Sequence, residues 1–497
     1  HRALGIPIFL GVMYLMFMFT INIGGAFIDF FDIFVGTLLV DGLGTLMANL
    51  GSPEWLIALL AGGVGGGIQT VATFIPVIAF LYLFLSALED SGYMARAAFV
   101  MDRMMRSVGL PGKAFVPLIV GFGCNVPSAM AARTMENQRD RIITVMMAPF
   151  MSCGARLPVY VLFAAAFFPT GGQNLVFALY LIGIGVAILT GLTLKTTLLR
   201  GEAAPFVMEL PPYHAPTLKG VVIRTWDRLK AFMFRAGKVI VAIVVVLNLL
   251  NSMGTDGSFG NEDSDQSILA AIGKSLTPVV EPMGITEANW PATVGIFTGI
   301  FAKEAVVGTL DALYGTLAEE AAEAKGGAAA EDEGFDLWAG LGEAFASIPE
   351  NLIGVLDTLT DPLGLGVGDT SDPAAVAEEE GVAVGTIGAM ASLFDGRVGA
   401  FAYLLAVLLY LPCVAAIAAI WRETGTRWTL FAAAWTTGWG YGAAVLVYQL
   451  GTYARHPAQS LVWTAVILGV FLGSVARMRV LGRRTATGLA AAREAAE

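Results

Sequence analysis

Three cysteines and three histidines are the whole supply of thiol and imidazole in 497 residues. An odd number of cysteines, none of them in a solvated polar loop, excludes a disulfide framework. No C-x-x-C pair exists, which removes a dithiol oxidoreductase from consideration. No Ser/His/Asp set or H-E-x-x-H run is present either. G-x-x-x-x-G-K-[ST] occurs nowhere, so the chain carries no nucleotide site. The glycine-rich AGGVGGGIQT (61–70) lacks the lysine and reads as a flexible junction before a span. Charged residues make up only 14%, against roughly 25% in a soluble domain. No basic cluster lies outside the membrane-flanking segments, so a nucleic-acid partner is excluded.

What the chain has instead is apolar length. It is 56% hydrophobic with a mean hydropathy of +0.71, and several runs reach the ~20 residues that a bilayer span needs. The spans fall at about 6–28, 69–88, 141–168, 175–198, 236–253, 400–420, 427–450 and 459–478. The first residue is His1, and no small-residue cleavage site follows the first run, which reads as a span of a truncated or processed chain rather than a signal peptide. Lys and Arg set the orientation. Segment 29–68 has neither and is placed outside, whereas Arg96 to Arg141 put 89–141 inside. Lys219 to Arg235 put 199–235 inside, and Arg422, Arg427 and the 477–484 tail agree, so both termini are expected in the cytosol. Residues 316–380 hold sixteen Asp and Glu against one lysine, Lys325. That block reads as a solvated external loop, or more sharply as a vestibule that gathers cations.

Two apolar segments have the same kind of flank at both ends: 114–132 has inside charges, and 290–312 has outside segments. Both read as re-entrant hairpins, tolerated at membrane depth only where they line a cavity. The expected fold is therefore an all-α polytopic membrane protein with about eight transmembrane helices, two re-entrant hairpins and inverted repeats. Its parts are 1–68 (first span and external segment), 69–198 (first repeat), 199–235 (basic cytosolic linker helix), 236–450 (second repeat with the acidic loop) and 451–497 (last span and basic tail). Aligning the halves sets GFGCNVPSAMAA (121–132) opposite GIFAKEAVVGTL (299–310), and SCGARLP (152–158) opposite LPCVAAI (411–417).

Each cysteine stands where Gly or Pro interrupts an apolar stretch: Cys124, Cys153 and Cys413. A lone buried cysteine is commonly a small hydrophobe. Three at helix breaks on different segments point to a site for a soft or borderline cation. Asn125 offers a neutral oxygen ligand or, alternatively, closes the hairpin tip. Glu304 could ligate or relay charge, or simply neutralise its neighbour Lys303. Arg156 reads as a donor to carbonyls freed by the break. Glu89, Asp90 and Asp102 are exit-path candidates or solvated charges. Met94, Met101 and Met105 share one helix face and read as core. Helix 219–235 reads as a headgroup-binding helix or a dock for a cytosolic partner. His214 reads as a structural loop residue.

The words EDSGYMARAAFVMDRMM, GLPGKAFVPLIVGFGCNVPSAMAARTMENQRDRIITVMMAPFMSCGARLPVY, MELPPYHAPTLKG, FAKEAVVGTL and LLYLPCVAAIAAIWRETG together resemble the membrane domain of the ferrous iron transport protein B family. The likeness covers nearly the whole chain and is weakest across 254–290 and 316–398. It implies gate-type repeats, Fe2+ as transported substrate, the bacterial cytoplasmic (inner) membrane, and the family's motif cysteines at Cys124, Cys153 and Cys413. It also implies a GTP-binding domain as partner, fused or separate, which this chain lacks. Small cytosolic accessory proteins and a homo-oligomer are further expected partners besides the lipid bilayer. The competing readings are transport of another divalent transition metal, or of a nucleoside-like solute on the same architecture.

Overall fold

The computed structural model describes residues 5–169, 171–201, 212–323, 336–355 and 384–494. Most of the acidic block and the start of MELPPYHAPTLKG lie outside the described residues. Among the described residues there is no strand, only one isolated bridge between Gly254 and Ser267. Helices run in the order α1 (Gly5–Asn49), α2 (Glu54–Asp90), α3 (Tyr93–Val108), α4 (Phe115–Gly123), α5 (Asn125–Ala131), α6 (Gln138–Met147), α7 (Leu157–Phe167), α8 (Gly172–Thr196) and α9 (Leu218–Ser252). The order continues with α10 (Ile268–Val280), α11 (Trp290–Phe301), α12 (Ala305–Glu323), α13 (Leu337–Gly354), α14 (Val384–Leu393), α15 (Gly396–Leu409), α16 (Val414–Thr424), α17 (Thr426–Gly451) and α18 (Pro457–Glu494). Among the described residues, eight stretches are long and apolar enough to cross a membrane, and each overlaps one expected span.

The same order of parts occurs twice. Span, short helix, helix pair, broken span and span appear as α2, α3, α4–α5, α6–α7 and α8, then as α9, α10, α11–α12, α15–α16 and α17. Helices α13 and α14 are inserted in the second set. In each helix pair the arms pack on one another, and Ser128 Oγ donates to Pro117 O at 2.7 Å across the first. Between α10 and α11 the chain bends by 119°.

Several boundaries differ from those read off hydropathy. Segment 29–68 is largely helical: after a turn at Ala26–Phe27, α1 continues as helix to Asn49. The span expected at 69–88 belongs to a helix that already begins at Glu54. AGGVGGGIQT is no flexible junction either. It is helical, and its missing side chains let helices touch: a Cβ on Gly63 would lie 3.2 Å from Val245 Cα, and one on Gly67 2.9 Å from Val241 Cα. Small residues that admit a neighbouring backbone are the usual basis of helix packing in lipid. π-helical turns at Met18–Ile23, Thr37–Asp41, Ala58–Gly65 and Met233–Gly237 carry these long helices past their irregularities. The basic helix likewise runs on without a break from Leu218 to Ser252. The second arm of the 290–312 pair reaches Glu323, and residues 337–354 of the acidic block are helical, not loop.

At the basic end of α2 the carboxylates are already engaged. Arg224 pairs with Asp90 at 2.9 Å and Arg228 with Glu89 at 2.6 Å. Asp90 also accepts from Thr217 N at 2.9 Å, and Asp102 accepts from Gly112 N at 2.8 Å. These groups hold helices together, which favours the structural reading of all three over an exit path. Outside the spans, Arg455 donates to Asp395 at 2.7 Å and holds its carboxyl below the usual carboxylate range.

Candidate metal site between the two repeats

All three cysteines sit at breaks in helices, Cys124 and Cys153 in extended backbone. Cys124 (φ −155°, ψ 133°) separates α4 from α5, Cys153 (φ −81°, ψ 160°) lies between α6 and α7, and Cys413 (φ −54°, ψ 154°) stands immediately before α16. The second helix pair breaks in the same way at Ala302 (φ −143°, ψ 125°), the residue aligned with Cys124. The correspondence extends to packing. A Cβ on Gly121 would meet Ser128 and Met151, and one on the aligned Gly299 would meet Val306 and Tyr410. In each half, then, a glycine of the first arm lets the pair close against both its second arm and the turn that precedes the next span's break.

The pairs also exchange partners across the halves. Helix α5 of the first packs on α16 of the second, and α12 of the second packs on α7 of the first. The breaks at Cys124, Cys153 and Cys413 and the tip Lys303–Glu304 thereby fall in one region. Cys124 is within electrostatic reach of Cys153, Cys413 and Glu304. Cys413 is within reach of Glu304, Cys153 and Lys303. Cys153 is buried, whereas Cys124 and Cys413 are only partly so. Glu304 keeps accessible surface at the tip of the second pair. Among the described residues, no three Cys, His, Asp or Glu side chains converge closely enough to hold a metal ion in this conformation.

The remaining expected residues divide. Asn125 is buried; with its amide turned so that its N–H groups meet acceptors, it donates to Gly121 O at 3.2 Å and Ala148 O at 3.0 Å. It therefore closes the tip, and only its carbonyl oxygen is left for a ligand. Arg156 is fully buried and donates to Pro149 O (3.2 Å) and Met151 O (3.4 Å), carbonyls freed by the break. Lys303 makes no ion pair with Glu304. It is 2% exposed, and its Nζ lies 3.1 Å from the centre of the Tyr410 ring. Tyr410 had no place in the sequence reading; its spacing of three residues before Cys413 was the available signal.

One contact between the halves had no sequence signal at all. Arg133 Nε donates to Glu423 Oε1 at 2.5 Å, linking the end of the first helix pair to the end of α16, 290 residues away. The Glu423 side chain is only 3% exposed, and stranding a buried carboxylate costs about 1–3 kcal/mol or more. Arg133→Glu is expected to lower the thermal unfolding midpoint in detergent, and the swap Arg133→Glu/Glu423→Arg to regain part of the loss. A swap no better than the single change would mean that the pair contributes nothing specific.

Residues 71–167 and 233–427 match the Gate family, described as nucleoside recognition. Residues 176–228 match the family of the ferrous iron transport protein B C terminus. Over 466 residues the chain is 50% identical to the Fe(2+) transporter FeoB of Legionella pneumophila subsp. pneumophila strain Philadelphia 1, covering 93% of this chain and 60% of that protein. It is 48% identical over 483 residues to the Fe(2+) transporter FeoB of Escherichia coli K12, covering 97% and 60%. The protein of the same name from Shigella flexneri is 47% identical over 483 residues, with the same coverage. The chain thus spans about 60% of the length of these relatives. No solved structure matches it.

Proposed function

Because the chain belongs to the Gate family and is similar along 93–97% of its length to Fe(2+) transporters, we propose that it carries ferrous iron across the bacterial cytoplasmic membrane. The path runs between the two repeats, past Cys124, Cys153, Cys413 and Glu304, with the Asn125 oxygen at the first tip. What supports this reading is that three thiols at three separate helix breaks all lie within electrostatic reach of the Glu304 carboxylate. Sulfur donors favour transition metals over Mg2+ and Ca2+, which prefer oxygen. The looser spacing of the donors in this conformation suits a path that grips the ion only when the repeats rearrange. A nucleoside would need hydrogen-bonding side chains free at both tips, yet at the first tip the Asn125 amide nitrogen is committed to carbonyls.

The longer relatives leave room for a GTP-binding domain, fused or separate, which we place on the cytosolic side together with any small accessory proteins. A homo-oligomer remains part of this proposal. The test is anaerobic uptake of Fe2+, Mn2+, Co2+ and Zn2+ into proteoliposomes, with and without a supplied G domain. Uptake of Fe2+ in preference to the others supports the reading; a nucleoside carried while no metal enters would replace it.

Orientation is proposed from Lys and Arg alone, with both termini cytosolic and the helix pairs 114–132 and 290–312 returning to the side they came from. Single-cysteine labelling of residues 320–380 is expected only from outside. Labelling only from the cytosol would remove the inversion of the repeats.

A further inference from the structure

Two short helices, one from each repeat, begin at thiols. Helix α5 starts directly after Cys124 and α16 directly after Cys413. The two pack on one another and run to the end that Lys and Arg assign to the cytosol. Ala129 and Ala132 from the first half, and Ala416 and Ala419 from the second, are buried in one hydrophobic cluster. Alanine buries little apolar area, so packing holds such a seam only weakly. Roughly 15 Å beyond the cysteines, by helical rise, the seam ends on Arg133 and Glu423, whose Nε–Oε1 bond measures 2.5 Å. The Glu423 side chain is 3% exposed and that of Arg133 53%, so the guanidinium lies over the carboxylate on the solvent side.

We propose that Arg133 and Glu423 are the cytosolic gate of the path. While they are bonded, α5 and α16 close the way out below Cys124 and Cys413, and the way opens when the pair parts and the helices separate. This rests on the reading that the path runs between the repeats. Repeats that rock against one another break and remake contacts at their seam. An ion pair at the edge of water suits that duty, because water solvates each partner once released and the net cost of parting is small. The two partners are unequal. Without Arg133, the Glu423 carboxylate is left buried and unpaired, and separation of the helices is what rehydrates it. Without Glu423, the half-exposed guanidinium still meets water, so opening gains less. Both are positioning residues, which act by setting access to the thiols rather than by touching the cargo.

The full chain, in membrane vesicles of either sidedness and without metal, is treated with a membrane-impermeant maleimide. Modification of Cys124 and Cys413 is followed separately by peptide mass spectrometry, with each variant held well below its own thermal midpoint. From the cytosolic face, Arg133→Gln is expected to speed modification by at least about tenfold, because it strands a buried carboxylate. Glu423→Gln is expected to speed it by less. Arg133→Lys, which keeps the cation, and the swap Arg133→Glu/Glu423→Arg are expected to return toward the wild-type rate. Arg133→Gln modified as slowly as the wild type overturns the inference, and so does a swap no slower than Arg133→Gln. Acceleration from the outer face alone overturns it too, since the pair would not then guard the exit. If Arg133→Gln and Glu423→Gln both fail to fold, the pair is structural and the inference falls. The maleimide reads the seam without any cargo. Equal rates therefore remove the gate and leave Fe2+ as cargo, whereas a wild type that carries no Fe2+ leaves the labelling result standing.

Discussion

Cys413→Ser is expected to cut Fe2+ uptake at limiting metal by at least about tenfold, the lower end of what even outer-shell losses do at metal sites. Cys413 is the only thiol that the second half contributes, while Cys124 and Cys153 both belong to the first half and are expected to cover partly for one another. Serine exchanges a soft ligand for a hard one that is rarely ionised. The fold has no reason to suffer. Cys413 occupies the position just before α16, where serine is among the preferred residues, and the change removes almost no volume. The loss should therefore appear in metal affinity at normal expression and normal thermal midpoint. A well-expressed Cys413→Ser protein that takes up Fe2+ at the wild-type rate would show that this thiol is not a ligand.

Gly440→Ala is expected to destabilise the protein by about 1–3 kcal/mol, the usual range for an overpacked interior. A methyl group there would lie 2.6 Å from Tyr410 N and 2.8 Å from Tyr410 Cα. Those are backbone atoms, so no side-chain rotation relieves the clash and the turn carrying Tyr410 and Cys413 must move. Helix propensity argues the opposite way, since alanine is better than glycine by about 1 kcal/mol inside a helix. Gly438 isolates that term: it lies on the same helix, and nothing stands within 4 Å of its missing Cβ. Gly438→Ala should hold or raise the midpoint while Gly440→Ala lowers it and impairs uptake. Equal midpoints would show that the approach of α17 to Tyr410 is not constrained.

Much of this architecture was legible because its cause is local. A run of residues that avoids water needs a helix in lipid whatever surrounds it, so hydropathy located all eight spanning stretches. Gly and Pro interrupt helices through their own backbones, so the breaks at Cys124, Cys153 and Cys413 were legible too. Helix ends were less so. Residues 29–49 and 54–68 carry few charges and many glycines, and hydropathy alone could not show that they remain helical. Their glycines are used where another helix's backbone meets them, as Gly67 meets Val241.

By itself, then, the sequence determined the membrane class, the place of the eight apolar stretches found among the described residues, the twofold order of parts and the placing of every thiol at a break. Only the tertiary structure decided what the polar groups near those breaks do. Asn125 grips carbonyls, Lys303 leans on Tyr410 instead of Glu304, and Arg133 finds Glu423 across 290 residues. Each depends on the register at which one helix meets another. That register is set by side-chain packing among residues far apart in the chain, and no local preference encodes it.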